Sequence, residues 1–253
     1  MNVQHLKKDD AKLSPRTYSS RSLHGQVVHE LGKRIVSGAL GEGEVLPNEA
    51  ELGAAFKVSR TALREGIKVL AAKGLLASRT RTGTSVRPRA DWSMLDPDVL
   101  AWRLECGVAE DFIQELYEFR RATEPMAASL AALRATDAEM ASMEQALDDM
   151  ALAGADVKAT IEPDLRFHQA ILSASGNELL GSLGAMIDAA LAYSFEICAP
   201  DEFVDIVPVH RAVLDAIRAR DSVAASDAMF KLLDFSRDWK QKVLDDRNIA
   251  ANS

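Results

Sequence analysis

The segment Leu46-Pro-Asn-Glu-Ala-Glu-Leu52, followed closely by Val58-Ser-Arg-Thr-Ala-Leu-Arg-Glu65, decides the fold of the first third of the chain. Asn48 and Ser59 are residues that favour helix N-caps, and Glu51 stands three residues after Asn48, as in a capping box. An apolar pattern with helical spacing follows each cap, so the sequence predicts two short helices joined by a tight turn. This arrangement is typical of a helix-turn-helix.

The flanking sequence extends this unit on both sides. Val28, Leu31 and Ile35 recur at helical spacing before it, and residues 75–78 and 84–87 read as two short strands around a turn after it. Three helices followed by a β-hairpin predict a winged helix-turn-helix over residues 21–88, preceded by a flexible N-terminus over residues 1–20.

The charge distribution agrees with a nucleic-acid-binding N-terminal domain. The whole chain carries a formal net charge of −8, but residues 1–90 contain 16 Lys/Arg and 8 Asp/Glu, whereas the remainder contains 14 and 30. A basic module joined to an acidic one is the charge pattern of a DNA-binding domain attached to a domain with another task.

The second helix of the predicted motif presents a cationic stripe. Arg60, Arg64 and Lys68 are spaced four residues apart, so they share one face beside the apolar side of the helix. In helix-turn-helix docking the first turn of this helix meets base edges, and arginine can bind guanine with two hydrogen bonds. The predicted DNA contacts are Ser59, Arg60, Thr61, Arg64, Lys68 and, in the wing, Arg79, Arg81 and Gly83. The alternative is a solvated cationic helix face without a nucleic-acid partner.

The rest of the chain is predicted to be helical. A linker with a short helix covers residues 89–108, in which Asp96-Pro97 supplies an N-cap and a first-turn proline. An antiparallel all-α bundle is expected over residues 109–245. Its predicted helices cover approximately residues 109–135, 137–152, 160–174, 177–198, 204–219 and 222–243, and Pro125, Pro163 and Pro208 are expected to kink or begin helices.

A candidate metal site stands in this bundle. Asp164 and His168 are four residues apart, which places a carboxylate and an imidazole on one face of a helix, and His210 is a third candidate ligand. One carboxylate and two imidazoles suit a divalent metal such as Zn, Ni, Mn or Fe. The alternative is an ordinary hydrogen-bonded Asp–His pair. Cys106 and Cys198 are far apart in sequence and are expected to be reduced, largely buried thiols.

Residues 46–86 resemble the winged helix of the GntR family of bacterial regulators. The resemblance depends on three motifs, Leu-Pro-x-Glu-x-Glu-Leu, Val-Ser-Arg-Thr-x-Leu-Arg-Glu and Gly-Leu-Leu…Gly-Thr-x-Val. The resemblance implies that the residues matching Arg60, Thr61, Arg64 and the wing contact DNA. Gly66 departs from it, since the family usually has alanine there, and a glycine inside a helix costs about 1 kcal/mol of helix stability.

Residues 110–240 are similar to the FCD ligand-binding domain of the FadR-like branch of this family. The matching stretches are Phe119-Arg-Arg-Ala-Thr-Glu-Pro125, Asp164-x-x-x-His168, Asn177 and His210. The resemblance implies a divalent metal held by Asp164, His168 and His210, and an acidic effector bound near Arg120 and Asn177. The usual further histidine falls at about Leu232, so either three protein ligands hold the metal or the effector binds without it. Arg120 could instead pair with Glu124, four residues later.

The stretch Asp91-Trp-Ser-Met-Leu-Asp-Pro-Asp-Val-Leu-Ala-Trp102 resembles regulators of sugar-acid catabolism within that branch. The expected protein is a repressor that binds a palindromic DNA operator as a homodimer and is released by a small organic acid. No apolar run is long enough for a membrane span, so a cytoplasmic location and no membrane partner are expected. The alternatives are a regulator that senses acyl-CoA and a non-haem iron enzyme. An enzyme is not expected, because the sequence offers no nucleophile–base pair.

Overall fold

The computed structural model describes residues 22–79, 83–107, 110–188 and 205–251. The N-terminal domain begins with three helices, α1 (Leu23–Val36), α2 (Glu49–Phe56) and α3 (Arg60–Ala72). Two antiparallel strands follow, β1 (Leu76–Arg79) and β2 (Gly83–Val86), with Leu76 opposite Val86. The predicted winged helix-turn-helix is therefore present, although both strands lie one residue away from the predicted positions.

Side-chain caps explain where these helices begin. Asn48 accepts hydrogen bonds from the amides of Ala50 and Glu51, and the Asn48 amide donates to Glu51 Oε2, which completes the predicted capping box. The Ser59 hydroxyl accepts the amide of Ala62 at 3.2 Å and starts α3. Between α2 and α3, Lys57 has a left-handed backbone with φ of 55°. The turn of the motif therefore rests on two caps and one left-handed residue.

The core of the N-terminal domain accounts for Gly66. Val27 and Val28 of α1 pack with Leu63 and Leu70 of α3, all of them buried. A Cβ atom at Gly66 would lie 2.9 Å from Val27 Cγ1, which is closer than carbon atoms pack. The glycine that lowers the intrinsic stability of α3 therefore permits the close approach of α1.

Helix α4 (Pro97–Glu105) belongs to two cores at once. Trp102 is fully buried in the N-terminal core, where its indole nitrogen donates to His29 Nδ1 at 3.1 Å. Leu100, on the opposite side of the helix, packs with Phe112 and Leu116 in a separate apolar cluster. The short helix predicted within the linker is thus present, and it is packed between the N-terminal domain and the helices that follow.

A buried ion-pair cluster joins the end of α3 to the beginning of α4. The Lys73 ammonium lies 2.8 Å from an Asp96 oxygen and 2.6 Å from an Asp98 oxygen. The Asp98 side chain is fully buried, and Asp96 also accepts the amides of Asp98 and Val99 as the N-cap of α4. The orientation of α3 is therefore fixed relative to α4 by charged as well as apolar contacts.

The C-terminal domain is helical throughout its described part. Its elements are α5 (Glu110–Arg134), α6 (Asp137–Ala153), α7 (Val157–Ala174), the single turn α8 (Glu178–Gly181), α9 (Val207–Arg218) and α10 (Ser222–Ala251). Helices α5 and α10 pack along each other in opposite directions, since Arg121 pairs with Asp234 while Arg220 donates to the carbonyl oxygen of Ala135. This arrangement confirms the predicted antiparallel bundle.

Some predicted boundaries are wrong for local reasons. Helix α7 begins before residue 160, because Asp156 caps the amides of Lys158 and Ala159. Pro163 therefore lies inside α7, and Pro125 lies inside α5, while Pro208 stands in the first turn of α9. The predicted helix over 177–198 is interrupted at residues 182–183 and resumes over 184–188, and its remainder lies outside the described residues.

Two further expectations concern the thiols and the membrane. Cys106 is partly buried, and this burial raises the pKa of its thiol, whereas Cys198 falls outside the described residues. Within the described ranges, no helix has both the length and the apolar character needed to cross a membrane.

Candidate effector site and DNA-facing surface

Five buried polar side chains meet inside the C-terminal domain. Helix α7 supplies Asp164 and His168, α9 supplies His210, and α5 supplies Arg120 and Glu124. Each of these residues is at most 4% exposed. Placing so many charged groups in a core otherwise made of apolar side chains is costly unless they are paired, so a specific arrangement is expected here.

The two histidines orient their ring nitrogens in the same way. His210 Nδ1 lies 2.7 Å from the carbonyl oxygen of Ile206, and His168 Nδ1 lies 2.5 Å from Glu124 Oε2, so each Nδ1 donates to an acceptor behind it. The Nε2 atoms face Asp164 Oδ1, at 2.7 Å from His210 and 3.5 Å from His168. A protonated Nε2 donates a hydrogen bond to Asp164, whereas an unprotonated Nε2 has a lone pair that a metal cation between it and the carboxylate could accept.

The electrostatics of the cluster depend on its pairing. Burial alone would raise the pKa of Glu124, but the charges of Arg120 and His168 outweigh it and lower this pKa to about 2. The pKa of Asp164 is likewise held well below its usual range, because hydrogen bonds from His168 and His210 outweigh its burial. Burial would lower the pKa of His168, yet the negative charge of Glu124 and the hydrogen bond to Asp164 raise it.

The donor set of the cluster fits a divalent metal. One carboxylate oxygen and two imidazole nitrogens, from Asp164, His168 and His210, lie within 4.8 Å of one another. Metal-bound histidines commonly donate their second ring nitrogen to a carboxylate or a backbone carbonyl, as Glu124 and Ile206 accept here. Leu232 is buried in the apolar core, so this position supplies no further ligand.

Arg120 makes the pair with Glu124 that the sequence offered as an alternative, and its contact with an effector stays a prediction. Its guanidinium pairs with Glu124, with Nε 2.5 Å from Oε1, as expected for an i, i+4 pair. The pair is nevertheless buried, and the Arg120 Nη2 lies 3.3 Å from His168 Nε2. Arg120 is thus part of the same polar cluster as the candidate ligands.

Asn177 is placed differently. Its side-chain oxygen accepts the amides of Leu179 and Leu180 as the N-cap of α8. These bonds give it a local structural role, and its predicted contact with an effector stays a prediction.

The predicted DNA contacts on α3 and the hairpin are exposed where the structure describes them. The side chains of Ser59, Arg60, Thr61, Arg64 and Lys68 are exposed, and so are Arg79 and Gly83. Arg81 lies outside the described residues. Because Leu63, Ile67 and Leu70 are buried on the other side of α3, the cationic stripe faces solvent, where a duplex can reach it.

The sequence reasoning missed the acidic partners of three predicted site residues. Glu49 pairs with Arg64, Glu65 with Lys68, and Glu124 with His168. The Glu65–Lys68 spacing of three residues was a usable signal. Glu49 and Arg64 lie on different helices, so their pairing follows from the geometry of the turn and had no such signal.

Comparison with known proteins gives consistent matches. Residues 23–86 match the model of "Bacterial regulatory proteins, gntR family", and residues 115–235 match that of the FCD domain. The galactonate operon transcriptional repressor of Escherichia coli K12 is 36% identical over 211 residues, covering 82% of this chain and 92% of the relative. The repressor NanR of Cronobacter sakazakii is 30% identical over 230 residues, covering 86% and 85%.

One solved structure also resembles this fold. It is that of Lar, described as controlling expression of the agr system of Listeria monocytogenes, with a TM-score of 0.59. It is 16% identical in sequence and covers 89% of this chain and 99% of that chain. At this identity the likeness supports the fold alone.

Proposed function

The chain belongs to the GntR family of bacterial regulatory proteins and carries an FCD domain, and we propose that it is a transcriptional repressor released from DNA by a small sugar acid. The relatives that it matches are transcriptional repressors, and this chain is likewise a transcription regulator and not an enzyme. The observation that carries the proposal is the buried cluster of Arg120 with Asp164, His168 and His210 inside the C-terminal domain.

The DNA is bound by the exposed stripe of α3. Arg60 and Thr61 stand in the first turn, which enters the major groove in helix-turn-helix docking. Arg64 follows one turn later, while Lys68 and Arg79 are placed to contact phosphates. Because phosphate contacts release counterions, binding weakens steeply as the salt concentration rises.

The effector is a small carboxylate that binds Arg120. A guanidinium presents parallel N–H groups that match a carboxylate, and the low polarity around Arg120 strengthens such a bond. Glu124 holds the guanidinium by Nε and keeps it in the cluster. The galactonate operon repressor is similar over most of its length, which supports an aldonate-type effector.

Asp164, His168 and His210 would hold a divalent metal beside Arg120. When bound, the metal supplies a positive charge that can take up an oxygen of the effector. Glu124 and Ile206 fix the two imidazole rings through their Nδ1 atoms, so the ligand geometry is set before binding. Zn, Ni and Mn all suit this donor set.

Helix α4 transmits the state of the effector site to the DNA-binding surface. Arg120 lies on α5, about two turns after Phe112 and about one turn after Leu116, which contact Leu100 of α4. Trp102 of the same helix is buried in the N-terminal core, and Asp98 pairs with Lys73 at the end of α3. Movement of α5 on effector binding therefore reorients α3, and the effector favours the arrangement that binds DNA less well.

A homodimer with a palindromic operator completes the proposal. A two-fold dimer presents two α3 helices to two half-sites one helical turn apart. Met126 and Leu133 are 57% and 62% exposed on α5, which supports an interface through the C-terminal domain. Sedimentation of the purified protein at micromolar concentration should give the mass of two chains.

A thermal-shift screen tests the effector assignment. The protein is melted with galactonate, gluconate, other sugar acids and acyl-CoA, each with and without Zn²⁺, Ni²⁺ or Mn²⁺. A ligand at one hundred times its Kd stabilises the folded state by about 2.7 kcal/mol, so a clear rise in melting temperature is expected for a sugar acid. Arg120→Ala should lose the response to the acid, and His210→Ala the response to the metal, whereas His24→Ala should keep both. A rise with acyl-CoA alone would contradict the proposal.

A further inference from the structure

Glu49 pairs with Arg64 on the surface that is proposed to bind DNA, although its charge is unfavourable for DNA binding. It is the first residue of α2 and 42% of its side chain is exposed. Its carboxylate accepts the Nε–H of Arg64 with both oxygens, at 2.9 and 3.0 Å. The Arg64 side chain is 64% exposed, so this pair lies at the surface.

The pair determines which part of the Arg64 guanidinium is free. Glu49 takes up the Nε–H, and no hydrogen bond from the two terminal amino groups of Arg64 occurs among the described residues. Arginine reads guanine by donating two hydrogen bonds to O6 and N7. With Nε engaged by Glu49, the two terminal amino groups present the remaining pair of donors.

Stability does not account for this pair. An exposed ion pair contributes little to the folded state, because water screens both charges. The hydrogen bond from Arg64 also lowers the pKa of Glu49, so the carboxylate stays charged at neutral pH. A permanent negative charge beside the phosphate backbone opposes binding to every sequence, so its benefit must lie in selectivity.

We propose that Glu49 is a positioning residue for base recognition: it holds Arg64 by Nε so that the guanidinium meets a guanine end-on, and its charge disfavours sequences that lack that guanine. This inference rests on the proposed DNA-binding function. It adds a residue that does not itself contact the preferred base and acts through Arg64.

Glu65 provides a matched control on the same surface. It pairs with the Lys68 ammonium at 2.8 Å, and the two side chains are 54% and 72% exposed. An ammonium is a compact charge without the planar fork of arginine, so its orientation carries no base preference. Removing the charge of Glu65 therefore changes the field at the DNA surface without disturbing a base-reading group.

The test is a selection of binding sites from random-sequence duplexes with the wild type, Glu49→Gln, Arg64→Ala and Glu65→Gln. The wild type should enrich a motif with one strongly preferred guanine in each half-site, and Arg64→Ala should lose that preference. Glu49→Gln should lose the preference at the same position, by about tenfold in the ratio of guanine to other bases. It should also bind a scrambled duplex more tightly than the wild type does. Glu65→Gln should bind the scrambled duplex more tightly than the wild type does, but it should keep the preference for guanine in the selected motif.

Several results would overturn the inference. One is that Glu49→Gln keeps the full guanine preference. Another is that Glu49→Gln loses equal affinity for the selected and the scrambled duplex. A normal motif for the wild type with an unchanged motif for Arg64→Ala would also overturn it, while leaving the DNA-binding function intact. A wild type that enriches no motif would instead refute the proposed function together with this inference. Thermal melting of each variant checks that the fold is preserved.

Discussion

Replacing Lys73 by methionine should strongly destabilise the N-terminal domain. The substitution keeps an unbranched side chain but removes the ammonium that lies 2.6 Å from Asp98 and 2.8 Å from Asp96. The side chain of Asp98 is 0% exposed, so its carboxylate would keep a buried charge without this counterion. Removing one partner of a buried ion pair costs roughly 3–5 kcal/mol.

The expected value lies near the lower end of that range. Asp96 is the N-cap of α4 and Asp98 stands in its first turn, where the helix dipole stabilises negative charge by about 0.3–2 kcal/mol. We therefore expect a loss of about 3 kcal/mol in the free energy of unfolding, a large part of the stability of an ordinary domain.

Urea denaturation at pH 7, followed by tryptophan fluorescence, measures this loss. Trp92 and Trp102 belong to or pack against the N-terminal core, so they report on its unfolding. Lys68→Met is the matched control, since it removes an exposed lysine from the same helix and should leave the midpoint unchanged within error. Adding Asp98→Asn to Lys73→Met should recover part of the loss, because the two residues are coupled. A loss below about 1 kcal/mol would refute the reasoning, because a buried pair should cost more.

Three further perturbations have defined outcomes. The depressed pKa of Glu124, about 2 against an ordinary 4.5, stabilises the fold above pH 4.5, and this stability of about 3 kcal/mol is lost as the pH falls toward 2. Glu124→Gln should therefore flatten the decline of the urea midpoint below pH 5, and a decline as steep as that of the wild type would contradict the pairing. Gly66→Ala should destabilise the protein by about 1–3 kcal/mol despite the better helix propensity of alanine, because its Cβ would lie 2.9 Å from Val27, whereas Gly181→Ala, with open space around it, should not; a higher melting temperature for Gly66→Ala would rule out the packing argument. Lys57→Gly should raise the free energy of unfolding by about 0.5–1 kcal/mol, and with it the melting temperature, because the residue has a φ of 55° that glycine adopts without strain. Lys57→Ala should give no such gain.

Local signals in the sequence were sufficient for most of the fold. Asn48, Glu51 and Ser59 act within three residues of themselves, so the caps of α2 and α3 could be read directly from their spacing. The same holds for the Asp96 cap of α4. The helix predicted over 177–198 was wrong because the break at residues 182–183 carries no proline and only a weak glycine signal.

The candidate site was predictable only in part. Asp164 and His168 could be placed on one face because they share a helix. His210 was a third candidate from its residue type, and the family resemblance implied that it completes the set. The pairing of Glu124 with His168 spans 44 positions, and that of Lys73 with Asp96 spans 23, so no periodicity links them. Contacts of this kind follow from the packing of separate helices, which local sequence patterns do not encode.

Control of DNA binding by a sugar acid through Arg120 is the central claim, and fluorescence anisotropy tests it most directly. The duplex obtained by selection is titrated with the wild type, Arg120→Ala and Arg121→Ala, with and without galactonate and Zn²⁺; Arg121 is a partly exposed neighbour paired with Asp234. We expect galactonate to raise the Kd of the wild type and of Arg121→Ala by about tenfold or more, and to leave that of Arg120→Ala unchanged. A Kd that no sugar acid changes, or an Arg120→Ala variant that responds as the wild type does, would contradict the account.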